Sequence, residues 1–359
     1  MSDKNLAVLF KSAVIDSHAY HVPDASGFIK LDAMENPYSL NDEFKQLWFD
    51  ALNHVEINRY PDAFLKELVT SIRSTFNIPI EAGLVFGNGS DELIQILLIA
   101  LRSNAKVMSP VPTFVMYQYL SNMLGLRFIG VPLNEDFSLN IPLMLEEINE
   151  HQPEIIFLAW PNNPTGIAYP KEELIQIIQA SVGLVIIDEA YNAFADDSML
   201  DAIKDYPNAM VMRTLSKLGL AGLRLGFLAG DQSLISELEK VRMPYNIGTL
   251  NQLTVSLVCK HIDILYKQTE LIRQQRNVML NQLQQLETVE VWTSNTNFIL
   301  FRVTDHSANE IHEALLENKI LIKNVSMAHP LLKGCLRVTI GTENENKTFV
   351  NVLKSILRS

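Results

Sequence analysis

Lys217 lies in Arg213-Thr214-Leu215-Ser216-Lys217, directly after the apolar run Ala209 to Met212. Arg224 follows within Leu220-Ala221-Gly222-Leu223-Arg224-Leu225-Gly226. A lysine at a strand end offers a primary amine for Schiff-base chemistry. The hydroxyls of Thr214 and Ser216 and a downstream guanidinium suit a phosphate. Upstream, Val185-Ile186-Ile187-Asp188-Glu189-Ala190-Tyr191 brings a carboxylate to another strand end. An amine, a phosphate cradle and a carboxylate for a pyridinium nitrogen are what pyridoxal phosphate needs from a protein.

Two further loops fit the same chemistry. Gly87-Asn88-Gly89-Ser90-Asp91-Glu92 follows a short strand and opens a helix. Its glycines let the backbone turn with amides exposed, and a helix N-terminus favours an anion. It lacks the third glycine of a dinucleotide fingerprint and the Gly-Lys-Ser/Thr of a Walker loop. Pro161-Asn162-Asn163-Pro164-Thr165-Gly166 follows a buried strand, and its prolines and glycine fix a loop that aims a side chain inward. Each feature alone has an ordinary explanation. The glycine loop would serve as a strand-to-helix turn and the proline loop as a rigid turn. Asp188 would serve as a helix cap, Tyr191 as core, Lys217 as a solvated surface group and Arg224 as half of a surface ion pair. Jointly, four strand ends, in order, carry groups suited to one cofactor.

The elements that must position these groups are legible as short apolar runs. They are Leu84 to Phe86, Ala105 to Met108, Ile155 to Ala159, Leu184 to Ile187, Ala209 to Met212 and Gly226 to Ala229. They are continuously apolar and not alternating, as expected of strands buried on both faces. Helical patterns such as Asp91 to Leu101 and Lys171 to Gln179 lie between them. This predicts an α/β domain with a mostly parallel sheet flanked by helices, its ligand beyond the carboxyl ends of the strands. Past Asn251 the pattern changes. A long helical region to about Leu286 precedes the strands Val289 to Trp292 and Phe298 to Arg302. A helix from Asn309, the strands Ile320 to Ile322 and Leu336 to Thr339, and a final helix from Asn344 to Leu357 complete it. We expect an irregular arm over 1–30, a large cofactor-binding domain over 31–268 and a small α+β domain over 269–359 that packs with the arm.

A chain of 359 residues, 48% hydrophobic, can bury cores for both domains. A net charge of -12 argues against nucleic-acid and anionic-membrane surfaces. Cys259 and Cys335 are too sparse for a disulfide framework and suit a reducing cytosol. The opening Met1-Ser2-Asp3-Lys4-Asn5-Leu6 lacks a basic segment with an apolar run, and no apolar stretch is of membrane-spanning length, so a cytoplasmic protein is expected. The histidines show no metal-ligand spacing; His18 and His21 have no cysteine nearby. No metal site is expected. The absence of Gly-x-Ser-x-Gly removes support for a serine hydrolase.

These motifs together resemble the fold-type I pyridoxal-phosphate enzymes of the aspartate aminotransferase superfamily, and within it the histidinol-phosphate aminotransferases. The likeness runs through Ala19-Tyr20-His21-Val22-Pro23, Leu31 to Pro37, Asn58-Arg59-Tyr60-Pro61-Asp62, Pro112-Thr113-Phe114-Val115-Met116-Tyr117 and Leu336 to Asn346. It implies that Lys217 joins the cofactor and moves the proton, while Asp188 keeps the ring nitrogen protonated. It implies that Asn163 and Tyr191 bond the phenolic oxygen and that Phe114 stacks on the ring. Ser90, Asp91, Thr214, Ser216 and Arg224 would surround the phosphate, joined by Tyr60 from the partner subunit of a homodimer. Substrate contacts would come from Tyr20, Glu35, Asn36, Asn163, Lys323 and Arg337. The implied reaction, a step of histidine biosynthesis, transfers an amino group between L-histidinol phosphate and 2-oxoglutarate, giving imidazole-acetol phosphate and glutamate.

Two departures stand out. The spacing from Lys217 to Arg224 is the shorter of the forms seen in the family. Lys323 stands where many members have arginine, and would meet a phosphate as a point charge instead of a fork. Rival readings are an aminotransferase for aromatic or other amino acids and a threonine-phosphate decarboxylase-like lyase on the same fold. A regulator built on that fold would carry an added basic DNA-binding domain, which this acidic chain is not expected to have.

Overall fold

The computed structural model describes residues 8–19 and 22–358. A single helical turn at Ser12–Ile15 and the two-residue strand β1 (Ile29–Lys30) precede the main sheet. That sheet contains β2 (Gly83–Gly87), β3 (Lys106–Val111), β4 (Arg127–Pro132), β5 (Ile155–Ala159), β6 (Leu184–Asp188), β7 (Ala209–Thr214) and β8 (Gly226–Gly230), in the order β2-β8-β7-β6-β5-β3-β4. Neighbours pair in parallel except around β8, which runs antiparallel to both β2 and β7.

Helices cover both faces, which explains the continuous apolar runs. Ile156 and Leu158 of β5 face one core, while Ile155 and Phe157 face another. The same alternation splits Val185 and Ile187 from Ile186 in β6. Both registers must therefore be apolar. The strand β4 was not among the expected runs. It is the edge strand, with Arg127, Gly130 and Pro132 in its sequence and three of its six residues exposed, so its pattern lacks the signature of a buried strand.

The rest of the chain forms a second, antiparallel sheet. It contains β9 (Val289–Val291), β10 (Phe298–Val303), β12 (Lys323–Asn324) and β13 (Cys335–Thr339), ordered β12-β13-β10-β9. The short β11 (Ile320–Leu321) pairs in parallel with β1, tying Ile29 and Lys30 to this part. The helices Ala308–Glu317 and Glu343–Ile356 contribute Ile311, Leu315, Phe349 and Leu353 to its core. Thr342 and Glu345 close a capping box at the start of the last helix. The position 268/269 falls inside the continuous helix Asp263–Gln284. Along that helix Leu265 packs in the core of the large sheet, whereas Ile272, Met279 and Leu283 pack in that of the small one.

Candidate active site

Five parallel features reach one edge of the large sheet. β2 ends at Gly87 before Ser90-Asp91, β3 leads into Phe114, β5 into Asn163, β6 ends at Asp188, and β7 ends at Thr214 before Lys217. The antiparallel β8 starts at this same edge, which is why Arg224, two residues before it, arrives beside them. All ten residues expected to face the cofactor from within the chain line one cavity, enclosing about 540 Å³ of space including its mouth. That is within the usual range for small-ligand pockets, about 300–1,000 Å³. Met34, Ala159, Pro161 and Ala190 complete the lining.

Lys217 sits on a tight helical turn, Ser216–Leu220, kinked at Gly219 with φ 137°. A β-carbon at Gly219 would come within 2.9 Å of the Asn36 amide nitrogen, so only glycine allows this approach. Lys217 Nζ donates to the Ala33 carbonyl at 3.2 Å. Burial first, and then the charge of Arg337, lower its pKa to about 8. Asp188 is 3% exposed. Its carboxylate accepts from Tyr117 Oη at 2.6 Å and from the Ala190 amide at 3.1 Å. Neither partner is a cation, and burial raises its pKa to about 6 against the lowering effect of these bonds. Asn163 Nδ2 donates to Tyr191 Oη at 3.2 Å, and burial pushes the Tyr191 phenol upward. Arg337 Nη1 donates to Asn163 Oδ1 at 2.5 Å, placing a buried guanidinium one bond behind the lining. The loop carrying Asn163 is pinned by the buried Asn162, which bonds Thr113, Thr165 and the Pro112 carbonyl.

The opposite end of the cavity suits an anion. The helix Ser90–Ala100 begins after Gly89, which offers no side-chain cap, so its first amides are open. Gly89 has φ 81°, and a β-carbon there would meet Arg224 Nη2 at 2.8 Å. Arg224 Nη1 donates to Ser216 Oγ at 3.2 Å and Nη2 to Asp91 Oδ2 at 3.1 Å. Thr214 Oγ1 lies 3.0 Å from Ser216 Oγ. Hydroxyls, a fork of guanidinium donors and a helix N-terminus together form a phosphate cradle.

The remaining expected residues lie outside the lining. Lys323 and Arg337 are paired across β12 and β13, so their side chains leave the same face of the small sheet. Glu35 forms an ion pair with Lys30. Asn36 has its amide on the Leu218 carbonyl (3.1 Å) and Gln268 (2.9 Å), and its carbonyl accepts from Tyr38 N at 2.9 Å. Asn36 thus holds the Lys217 turn. Tyr60 is 82% exposed, with its ring stacked on Tyr245 at 4.6 Å. Tyr20 lies outside the described residues. Two features escaped the sequence reading: Tyr117 behind Asp188, and the buried Glu189–Arg213 pair. The first had one usable signal, since Tyr117 lies three residues after Phe114, near the start of the helix that follows it. Among the described residues no cluster of His, Cys, Asp and Glu is arranged to hold a metal.

The donor set fits pyridoxal phosphate. A buried carboxylate without a cation awaits a protonated ring nitrogen. A desolvated amine awaits an aldehyde, and the glycine-floored cradle awaits a phosphate. Comparison with known proteins points the same way. The model of the family "Aminotransferase class I and II" matches residues 26–353. A histidinol-phosphate aminotransferase of Nitrosococcus oceani is 48% identical over 338 residues, covering 94% of each chain. One from Ralstonia nicotianae is 42% identical over 95% of this chain and 92% of its own. The crystal structure of a histidinol-phosphate aminotransferase from Sinorhizobium meliloti in complex with pyridoxal-5'-phosphate superposes with a TM-score of 0.84 at 21% identity, over 96% of this chain and 98% of that one, a likeness of fold. The chain therefore belongs to the class I and II aminotransferases and, among them, to the histidinol-phosphate aminotransferase family.

Proposed function

We propose that this enzyme uses pyridoxal phosphate to transfer the amino group of L-histidinol phosphate to 2-oxoglutarate, a step of histidine biosynthesis. The observation that carries the reading is the single cavity shared by the desolvated Lys217 amine, the buried Asp188 carboxylate and the open helix N-terminus at Ser90. When bound, the cofactor supplies an aldehyde that condenses with amines and a ring that accepts the electron pair left at Cα. Lys217 would hold the cofactor through its amine and would move the Cα proton. Its pKa of about 8 gives it a neutral fraction near neutral pH. Asp188 would hold the proton at the ring nitrogen. Asn163 and Tyr191 would bond the phenolic oxygen, and Phe114 would cover a ring face. Arg337, braced by Asn163, binds the substrate anion together with Lys323 on the same face of the small sheet. The names of the relatives at 48% and 42% identity support histidinol phosphate as the donor.

The reading extends to assembly and setting. Tyr60 and Tyr245 stack as an exposed aromatic patch, and Ile57, Phe64 and Met243 are exposed as well. Such a patch supports a homodimer in which Tyr60 reaches the partner's cofactor phosphate. Residues 31–268 form the cofactor-binding body, and 269–359 with the arm form the part that faces substrate. The thiols of Cys259 and Cys335 are unpaired, which suits the cytoplasm. No described helix is long and apolar enough to cross a membrane. A donor panel with 2-oxoglutarate tests the function. Histidinol phosphate should give the highest kcat/KM for glutamate formation, ahead of phenylalanine and aspartate. A higher value for phenylalanine, or carbon dioxide release from threonine phosphate without a keto acid, would replace the assignment.

A further inference from the structure

Tyr117 is buried completely and lies on the helix Met116–Leu124, outside the cavity lining. It nevertheless touches two groups that do line the cavity. Its hydroxyl donates to Asp188 Oδ2 at 2.6 Å. Its ring meets Phe114 edge-on, with centroids 5.6 Å apart at 86°. Its other contact fixes the ring itself: it stacks on Phe157 of β5 at 4.6 Å and 9°. Phe157 belongs to the core of the sheet, so Tyr117 has no freedom to turn away. Burial drives its own pKa well above the usual phenol value, so the hydroxyl remains a donor at every working pH.

We propose that Tyr117 is a positioning residue that orients the Asp188 carboxylate and braces Phe114, so that one buried side chain aligns the wall at the ring nitrogen with the wall at the ring face. The proposal rests on the reading of Asp188 as the partner of that nitrogen. A carboxylate has two oxygens and rotates about its terminal bond. With Oδ2 held by Tyr117 and Oδ1 by the Ala190 amide, that rotation is fixed. The charged and titratable groups near Asp188 include Tyr117 on its helix, Glu189 and Tyr191 on the turn after β6, Asp91 on the helix Ser90–Ala100, and Lys217 and Arg224 across the same cavity. Of these only Tyr117 donates a hydrogen bond to the carboxylate, and that bond favours its charged form against burial.

The test substitutes Tyr117→Phe in the full-length chain, which keeps the ring between Phe157 and Phe114 and removes only the hydroxyl. Carboxyl-labelled aspartate, assigned with Asp188→Asn, reports the titration of Asp188 by carbon NMR without cofactor. Equilibrium binding of pyridoxal phosphate and the pH titration of its visible absorbance report the loaded enzyme. The Asp188 midpoint should rise above that of the parent, and cofactor should bind more weakly by about 10-fold or more, as expected for losing a hydrogen bond to a charged group. An unchanged Asp188 midpoint overturns the role of Tyr117. A raised midpoint with unchanged cofactor affinity and absorbance titration overturns instead the reading of Asp188 on which it rests. Incorporation of 3-fluorotyrosine at 117 removes no packing, so it keeps the test open if the phenylalanine variant does not fold. Its more acidic hydroxyl is a stronger donor and should lower the Asp188 midpoint; an equal or higher midpoint contradicts the proposal.

Discussion

Two arginine–carboxylate pairs flank the Lys217 turn, and they are built for different ends. Arg213, four residues before the lysine, places Nε and Nη2 on Glu189 Oε2 at 2.9 and 2.7 Å. Nη2 also reaches Ser198 Oγ at 2.8 Å, and the Met199 amide donates to Glu189 Oε1 at 2.6 Å. The two side chains are 11% and 0% exposed. Arg224, seven residues after the lysine, meets Asp91 at 3.1 Å with 48% and 44% of the side chains exposed. The first pair is bonded within the fold through Nε and Nη2 and joins the ends of β6 and β7, so it fixes the spacing between Asp188 and Lys217. The second keeps donors free beside an uncapped helix, so it can exchange its partner for a ligand's phosphate. A guanidinium serves as framework when its hydrogen bonds are spent inside the fold, and as receptor when they are not.

The largest effect expected is on activity, at the residue between the two pairs. Lys217→Ala should lose the visible absorbance of the lysine-bound cofactor and almost all turnover. The proton-transfer part alone is worth about 10²–10⁴-fold. Because the cradle around Arg224 does not involve Lys217, the variant should still bind pyridoxal phosphate, which equilibrium dialysis would show. If the variant cannot bind at all, the phosphate end is not the independent receptor described here.

Next in size is the framework pair. Glu189→Ala leaves Arg213 buried and unpaired, and should cost about 3–5 kcal/mol of stability in urea unfolding. A loss below about 1 kcal/mol would mean that water relieves the guanidinium and that the pair is no framework. The neighbouring carboxylate should behave in the opposite way. Asp188 has its pKa raised from 3.8 to about 6, mainly by burial. Without cofactor, the unfolded chain releases this proton at lower pH than the folded one. Stability is therefore fully present below pH 3.8 and is lost as pH rises through about 6. Asp188→Asn cannot ionise, so above that window the cofactor-free variant should be more stable than the parent by about 1–3 kcal/mol, and near-equal at the acid end. Its turnover should nevertheless fall steeply. If the stability of the parent relative to Asp188→Asn does not fall through the same pH interval, Asp188 already has a compensating partner.

The contrast also explains which parts of the site could be read from sequence. Asp188 ends a buried strand and Ser90, Asn163 and Lys217 each follow one closely, so an apolar run and its loop suffice to locate them. Arg224 needed one more fact, the reversed direction of β8, which its sequence does not announce. Tyr117 and the Glu189–Arg213 pair act through partners far along the chain: 71 residues separate Tyr117 from Asp188, and 24 separate Glu189 from Arg213. Side chains of this kind read as ordinary core or surface until the sheet order is known. The substrate side is harder still. Arg337 donates to the Asp32 carbonyl and the Met34 amide donates to Thr339 Oγ1, each across 305 residues, so no local pattern marks that wall. The edge strand β4 was hidden for a related reason, because half of its residues face solvent. The arm and Tyr60 owe their suggested roles to family resemblance alone.

The smallest expected effect is at Asp91, and it is the one that most directly tests the division between framework and receptor. Its carboxylate lies in the first turn of the helix Ser90–Ala100, where a negative charge is favoured by the helix dipole by about 0.3–1 kcal/mol. Its contact with Arg224 is exposed and open to screening by salt, and pairs of this kind contribute about 0–1 kcal/mol. Asp91→Asn should therefore lower stability by no more than about 1 kcal/mol, with the difference shrinking as salt is added. Cofactor binding brings a further consideration. Asp91 competes with a phosphate for the Nη2 donor of Arg224 and repels it at close range. Removing the charge while keeping an acceptor should leave affinity unchanged or slightly improved, although Asp91 lines the cavity. Urea unfolding and equilibrium binding on the same preparation give both numbers. A loss of stability matching that of Glu189→Ala would erase the distinction between the two pairs. A marked fall in affinity would instead make the Asp91 side chain, and not only the backbone around it, part of the phosphate cradle.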